Sequence, residues 1–217
     1  MPGTRNPEPG TRNPLPETRN PVPETRYPKP AVFLDRDGTI IEDVGYLDAV
    51  ERIAWFPWSV DAIRALNRAG LVVVVITNQS GVARGHFTEA LVEEAHRRLD
   101  ARLAEGNARI DAYYYCPHHP DGAVPEYTRV CDCRKPGRGL VDRAVRDLAL
   151  DPARSFVVGD RWLDIGMAHA IGGRSVLVRT GAGADQEREP IAGVTPDAVV
   201  DNLAAAVSWI LTHVDRA

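Results

Sequence analysis

The sequence predicts an α/β fold, a central parallel sheet with helices on both faces. Three observations lead there. From Ala31 onward, short β-branched runs alternate with segments of helical periodicity. The run "LVVVVIT" from Leu71 is bounded by turn residues, which marks an interior strand. The strand-like runs end in Asp, Gly, Thr and Asn, the residues expected where parallel sheets bind ligands, beyond the carboxyl ends of their strands.

Taken in order, "AVFLD" is a short buried strand followed by a loop rich in Asp and Gly. Ser59 to Ala69 carries Val60, Ile63 and Leu66 at helical spacing and stops at Gly70. "LVVVVIT" is the second strand. Thr88 is placed to cap a long helix with Leu91, Ala95, Leu99 and Leu103 on one face. "IDAYYYC", "SFVVGD" and "RSVLVRT" supply the third, fourth and fifth strands. Helices over Leu140 to Leu148 and Leu163 to Ile171 separate them, and a last helix covers Leu203 to Val214.

Residues 1–30 differ in kind. "TRNPEPG", "TRNPLPE", "TRNPVPE" and a decayed "TRYPKP" repeat every seven residues, and the prolines forbid helix. With almost no apolar side chains, this segment reads as a disordered or polyproline-II-like tail, leaving 31–217 as the folded unit. A net charge of −4 gives no footprint for broad binding to nucleic acid or anionic membranes. No run is long enough to span a bilayer, and no secretory signal is read. Three cysteines in 217 residues make no disulfide framework, so a reducing, cytoplasmic location is expected.

The strand ends carry the chemistry. Asp35 and Asp37 follow the first strand; Thr77 and Asn78 end the second; Asp160 and Asp164 follow the fourth. The chain has only two lysines, Lys29 in the tail and Lys135 before the fourth strand. Carboxylates gathered in one crevice repel, and a divalent cation with oxygen ligands relieves them. A lysine and a hydroxyl opposite complete a cage for a phosphoryl dianion. One Asp can attack phosphorus while a second carboxylic acid protonates the leaving alkoxide and later deprotonates water. A separate cluster, Cys116-x-His118 and Cys131-x-Cys133, uses every cysteine of the chain and suits a closed structural Zn²⁺ site, with His119 as the alternative to His118.

"DRDGT", "TNQSG", "CRKP" and "GDRWLD", in that order, resemble the four motifs of the haloacid-dehalogenase-like (HAD) superfamily over residues 31–216. The resemblance implies a Rossmann-like fold, Asp35 as nucleophile, Asp37 as general acid and base, and Thr77 with Lys135 around the transferring phosphoryl group. It implies Mg²⁺ on Asp35, the backbone carbonyl of Asp37 and Asp160, with Asp164 in support. Neither gap between motifs holds a cap domain.

"CPHHP" with "CDCRKP" and "TNQSGVARGHFTE" narrows the likeness to the heptose-bisphosphate phosphatase and histidinol-phosphatase family. That likeness favours His118 and implies substrate contacts from Asp43 to Tyr46 and from Thr77 through Asn78 and Gln79 to Ser80. It also implies that Arg134 recognises the distal part of the substrate, where a guanidinium suits a second phosphate. Two departures stand out. Gly137 and Arg138 replace a region where a second proline is usual, and Arg161 with Trp162 replace a lysine and a smaller residue. Arg161 keeps a positive charge for the substrate, and Trp162 is expected to narrow the pocket.

The expected activity is removal of the 7-phosphate from heptose 1,7-bisphosphate through an aspartyl-phosphate, with Mg²⁺ and Zn²⁺ as cofactors. The expected partner is a phosphorylated sugar, with no nucleic acid or membrane, and the expected state is a monomer. Hydrolysis of histidinol phosphate or of another small sugar phosphate, and a zinc-stabilised binding module, are the alternatives. Zinc on Cys131 and Cys133 is expected to fix the loop that presents Arg134 and Lys135.

Overall fold

A computed structural model describes residues 28–214. Six strands form one parallel sheet: β1 (Ala31–Leu34), β2 (Val72–Asn78), β3 (Ala112–Cys116), β4 (Phe156–Gly159), β5 (Arg174–Val178) and β6 (Ala198–Val200), in the order β3-β2-β1-β4-β5-β6. The helices are α1 (Ser59–Arg68), α2 (Glu89–Glu105), α3 (Gly139–Leu148), α4 (Trp162–Ile171), α5 (Gly183–Arg188) and α6 (Leu203–His213). The chain order reverses direction on either side of β1, so β1 and β4 flank the switch point where a crevice opens.

Strand alternation divides the core into two layers. Val32, Leu34, Val73 and Val75 face α1, α2 and α6 through Ile63, Leu99 and Ile210. Ala31, Phe33, Val74 and Ile76 face α3 and α4 through Leu140, Ala144 and Met167. Burial on both faces is why β1 and β2 read as unbroken apolar runs. Between β1 and β2 lie only a loop, a short 3₁₀ turn at Val50–Arg52 and α1, so no cap covers the crevice.

Five strands and five helices fall where the sequence places them. β6 and α5 were not anticipated. "AVV" is three residues long and half-buried, and α5 is six residues mixing Gly, Ala and acids, both too short for a periodic signal. Thr88 does occupy the N-cap of α2, with extended backbone, but its side chain accepts no capping hydrogen bond. The reading of residues 1–27 as a tail lies outside the described residues. No helix among the described residues is long and apolar enough to cross a membrane.

His96, an unremarkable helix residue by sequence, is buried on α2. It stacks on Tyr113 at 4.4 Å between ring centroids, and its Nε2 has no partner. Burial first, and the Arg36 charge second, push its pKa down to about 3. The folded state thus refuses a proton that the unfolded chain accepts below about pH 6.5. Stability falls as pH drops through that window, by about 2 kcal/mol between pH 6.5 and 5. Denaturant melts of the wild type and His96→Phe at both pH values are expected to differ by that amount; equal acid sensitivity in the two proteins would contradict it.

Candidate active site

The crevice is a cavity of about 340 Å³ at the carboxyl ends of β1, β2 and β4. Asp35 follows β1, and its backbone N–H donates to Val158 O of β4 at 2.9 Å, which fixes it at the switch point. Its Oδ1 takes two donors, the Arg36 backbone N–H at 2.7 Å and Lys135 Nζ at 2.9 Å. Burial pushes Asp35 up to about 6; Lys135 opposes that shift, and the Asp164 and Asp37 charges add to it.

Lys135 is almost fully buried in the loop after β3. Its ammonium reaches Asp35, Asp164 Oδ1 at 2.6 Å and the Ile76 carbonyl at 3.0 Å. Burial disfavours the ammonium, but the Asp164 and Asp35 carboxylates outweigh that and hold it protonated, well above the usual lysine range. Asn78 grips the backbone of the same residue from both sides, accepting from Lys135 N at 3.0 Å and donating to Lys135 O at 3.3 Å. Its side chain serves the loop as well as the cavity it lines.

Asp160 is fully buried. Its Oδ2 accepts from Ala182 N at 2.8 Å, while Oδ1 is buried with no partner. Burial, then the Asp35 and Asp164 charges, push it up to about 8. Gly38 and Gly181, both with positive φ, press against this carboxylate, and a Cβ on either would overlap it. Carboxylate oxygens of Asp35, Asp160 and Asp164 lie within 4.8 Å of one another. An orphaned buried oxygen, mutual repulsion and a glycine-lined cradle fit a hard cation bound by oxygen. Asp164, given a supporting part by sequence, thus stands in the same group as Asp35 and Asp160. The Asp37 side chain stands outside it, turned to Arg36 and Gln79.

At the mouth, Arg161 NH2 pairs with Asp43 Oδ2 at 2.8 Å, and Asp43 Oδ1 accepts from Gly45 N at 2.9 Å. Tyr46 lies 4.1 Å from His86 between ring centroids. Tyr46, Ser80 and Arg134 line the cavity; among the described residues the Arg134 guanidinium makes one long hydrogen bond, NH1 to the His118 carbonyl at 3.4 Å. Trp162 corrects the sequence reading. It is buried beside Ile165 and Leu177, and its Nε1 donates to Gln186 O and Glu189 O at 2.9 and 3.0 Å. An indole N–H inside a core needs a carbonyl, and α5 with its C-terminal end supplies two, so the ring turns away from the crevice and Leu163 lines it instead. Phe87 and Leu163, which line the cavity, and Arg36, which contacts Asp37, were missed as site residues; only the charge of Arg36 between two aspartates could have drawn notice.

Behind Arg134, Cys133 Sγ lies 3.3 Å from Cys116 Sγ, 3.1 Å from Cys131 Sγ and 3.2 Å from His118 Nδ1. All three cysteines are unbridged. Three sulfurs and one imidazole nitrogen, converging at these separations without a disulfide, fit one tetrahedral soft-metal site. His119 lies outside the group, against Arg84 and the Asp121 backbone.

Two family descriptions match the chain: polynucleotide kinase 3 phosphatase over residues 31–164 and HAD-hydrolase-like over residues 132–206. The D-glycero-beta-D-manno-heptose-1,7-bisphosphate 7-phosphatase of Salmonella typhi is 45% identical over 181 residues, 83% of this chain and 94% of the relative. That of Escherichia coli (strain K12) is 46% identical over 175 residues, 80% of this chain and 90% of the relative. Among solved structures, the D,D-heptose 1,7-bisphosphate phosphatase from B. bronchiseptica, complexed with magnesium and phosphate, has a TM-score of 0.75 at 32% identity, covering 85% of this chain and 99% of that one. A putative HAD-like phosphatase from Mesorhizobium loti has a TM-score of 0.74 at 32% identity, covering 88% and 89%. With the fold, the crevice and these similarities in agreement, the chain belongs to the HAD-like hydrolases, in the family of the D-glycero-beta-D-manno-heptose-1,7-bisphosphate 7-phosphatases, and is a phosphatase.

Proposed function

We propose that the protein removes the 7-phosphate of D-glycero-D-manno-heptose 1,7-bisphosphate through an aspartyl-phosphate on Asp35. The observation that carries this reading is one cavity holding both the Asp35–Lys135 pair and two guanidiniums, Arg134 and Arg161. A sugar carrying two phosphates matches a cavity lined by several cations. The names of the similar phosphatases support the same substrate.

Asp35, Asp160 and the Asp37 backbone would hold Mg²⁺, with Asp164 beside them. When bound, the ion neutralises charge on the transferring phosphoryl group and on the crowded carboxylates. Lys135 and the Thr77 hydroxyl hold the phosphoryl oxygens. An Asp35 carboxylate oxygen forms the bond to phosphorus as the bond to the sugar oxygen breaks, and Asp37 gives that oxygen its proton. Asp37 then takes a proton from the water that attacks the aspartyl-phosphate, which releases phosphate and restores both carboxyl groups.

Cys116, His118, Cys131 and Cys133 would hold Zn²⁺ and brace the loop carrying Arg134 and Lys135. Residues 31–217 form the catalytic unit in this reading, with the repeats outside it. Unbridged thiols suit the cytoplasm.

Arg134→Ala tests the substrate assignment. Losing a charge-assisted contact to the distal phosphate is expected to lower kcat/KM for the heptose bisphosphate by about 10- to 100-fold. Histidinol phosphate and other monoesters should be poor substrates and change little. Efficient turnover of histidinol phosphate, with Arg134→Ala indifferent to the second phosphate, would replace this reading with the histidinol-phosphatase one.

A further inference from the structure

We propose that Arg36 and Gln79 are positioning residues for the Asp37 carboxyl, fixing which oxygen exchanges the proton. This rests on the reading of Asp37 as the acid and base. Arg36 is 1% exposed and Gln79 is 4% exposed, yet both aim their polar ends at Asp37. Arg36 Nε lies 3.2 Å from Asp37 Oδ1 and 3.1 Å from Oδ2, and NH2 lies 2.9 Å from Oδ2. Gln79 Nε2 donates to Asp37 Oδ2 at 2.9 Å and to Thr77 Oγ1 at 2.8 Å, while its Oε1 accepts from Arg36 NH2 at 3.0 Å.

The donor and acceptor inventory admits one arrangement. A guanidinium only donates, so the amide must turn Oε1 toward Arg36 and its NH2 toward Asp37 and Thr77. Asp37 Oδ2 therefore accepts from Gln79 Nε2, lies in ion-pair contact with Arg36 NH2 and shares the single Arg36 Nε–H with Oδ1, whereas Oδ1 has only that shared hydrogen. Oδ1 is the oxygen left to give a proton to the leaving group and take one from water. The same amide fills an acceptor site on Thr77 Oγ1, leaving the Thr77 O–H to donate to a phosphoryl oxygen.

As a purely structural device the pair is poor. Burying a guanidinium is costly, and Arg36 NH1 is buried without a partner. A buried charge kept at that cost beside the reacting carboxyl is accounted for by orientation, since small misplacements of a proton donor slow its transfer. Gln79, which the family resemblance makes a substrate contact and which lines the cavity, also acts through Asp37 and Thr77.

The test compares Gln79→Leu, Arg36→Met and Asp37→Asn on two esters in single-turnover and steady-state assays. Heptose bisphosphate has an alkoxide leaving group that needs a proton; p-nitrophenyl phosphate has one that leaves without it. For Gln79→Leu the first turnover of the sugar ester is expected to slow about 10- to 100-fold, with KM changed less than about threefold. The first turnover of the aryl ester should change less than about threefold and appear as a burst of about one nitrophenolate per enzyme, because the later attack of water still needs Asp37. Equal losses on both esters, or a loss confined to KM, would overturn the proposal. Gln79→Leu carries the test if Arg36→Met does not fold. If Asp37→Asn discriminates between the esters and Gln79→Leu does not, the positioning role alone is wrong. If Asp37→Asn does not discriminate, the acid-base reading falls and this proposal with it.

Discussion

Asp35→Asn is expected to lower kcat on heptose bisphosphate by at least about a thousandfold while the protein stays folded. The amide has nearly the same shape, so no cavity opens, but it is neutral and lacks the anionic oxygen that attacks phosphorus. Lys135 keeps its partner in Asp164, 2.6 Å away, so no buried cation is stranded. Stability should not suffer either. The folded pKa of Asp35, about 6, lies above its unfolded value of 3.8 because burial disfavours the anion. The folded state binds that proton more tightly, so ionising the group costs stability as pH rises from about 4 to about 6. At pH 7.5, without added metal, the variant should melt no lower than the wild type. Adding Mg²⁺ should raise the wild-type Tm and raise that of the variant less, since one ligand of the carboxylate group is gone. A variant that kept kcat within tenfold of the wild type would remove Asp35 as the nucleophile.

Cys133→Ser is expected to destabilise the protein by about 4 kcal/mol or more and to lower zinc content from about one per chain to near zero. Cys133 is the sulfur closest to the other three ligands, and its loss opens the site rather than loosening one corner. The effect should reach catalysis because Arg134 and Lys135 follow directly. Lys135 Nζ must stay near Asp35 Oδ1, and a shift of about 1 Å is expected to lower kcat/KM about a hundredfold. Mg²⁺ binding at Asp160, which directly follows β4, should be affected far less. Zinc-free protein, verified by metal analysis, that kept the wild-type kcat and KM would sever the loop from the chemistry.

The site was legible to different depths for physical reasons. Asp35, Thr77 and Asp160 could be placed because each ends a run of apolar residues whose strand character is local, and the parallel sheet does the rest. The cysteine cluster could be placed because its side chains come in two closely spaced pairs, Cys116 with His118 and Cys131 with Cys133, which together offer four donor atoms. The direction of a polar side chain could not. Gln79 and Asn78 sit side by side in "TNQSG", yet Gln79 reaches back 42 residues to Asp37 and Asn78 reaches forward 57 to Lys135. Trp162 looked like a pocket wall because it stands where a smaller residue is usual in the family, and its carbonyl partners lie on and just after a helix too short to foresee.

By itself, then, the sequence determined the alternation of strands and helices, the strand ends at which carboxylates gather, and the cysteine and histidine pairs that the loop brings together. These follow from periodicity, residue type and spacing, which act over a few residues. Only the tertiary structure decided that Asp164 joins Asp35 and Asp160 in one group, that Arg161 is already paired with Asp43, and that a buried Arg36 and Gln79 hold Asp37. Those arrangements depend on donors and acceptors brought together from distant segments, where the need to satisfy each buried polar atom selects one orientation out of several that are locally equivalent.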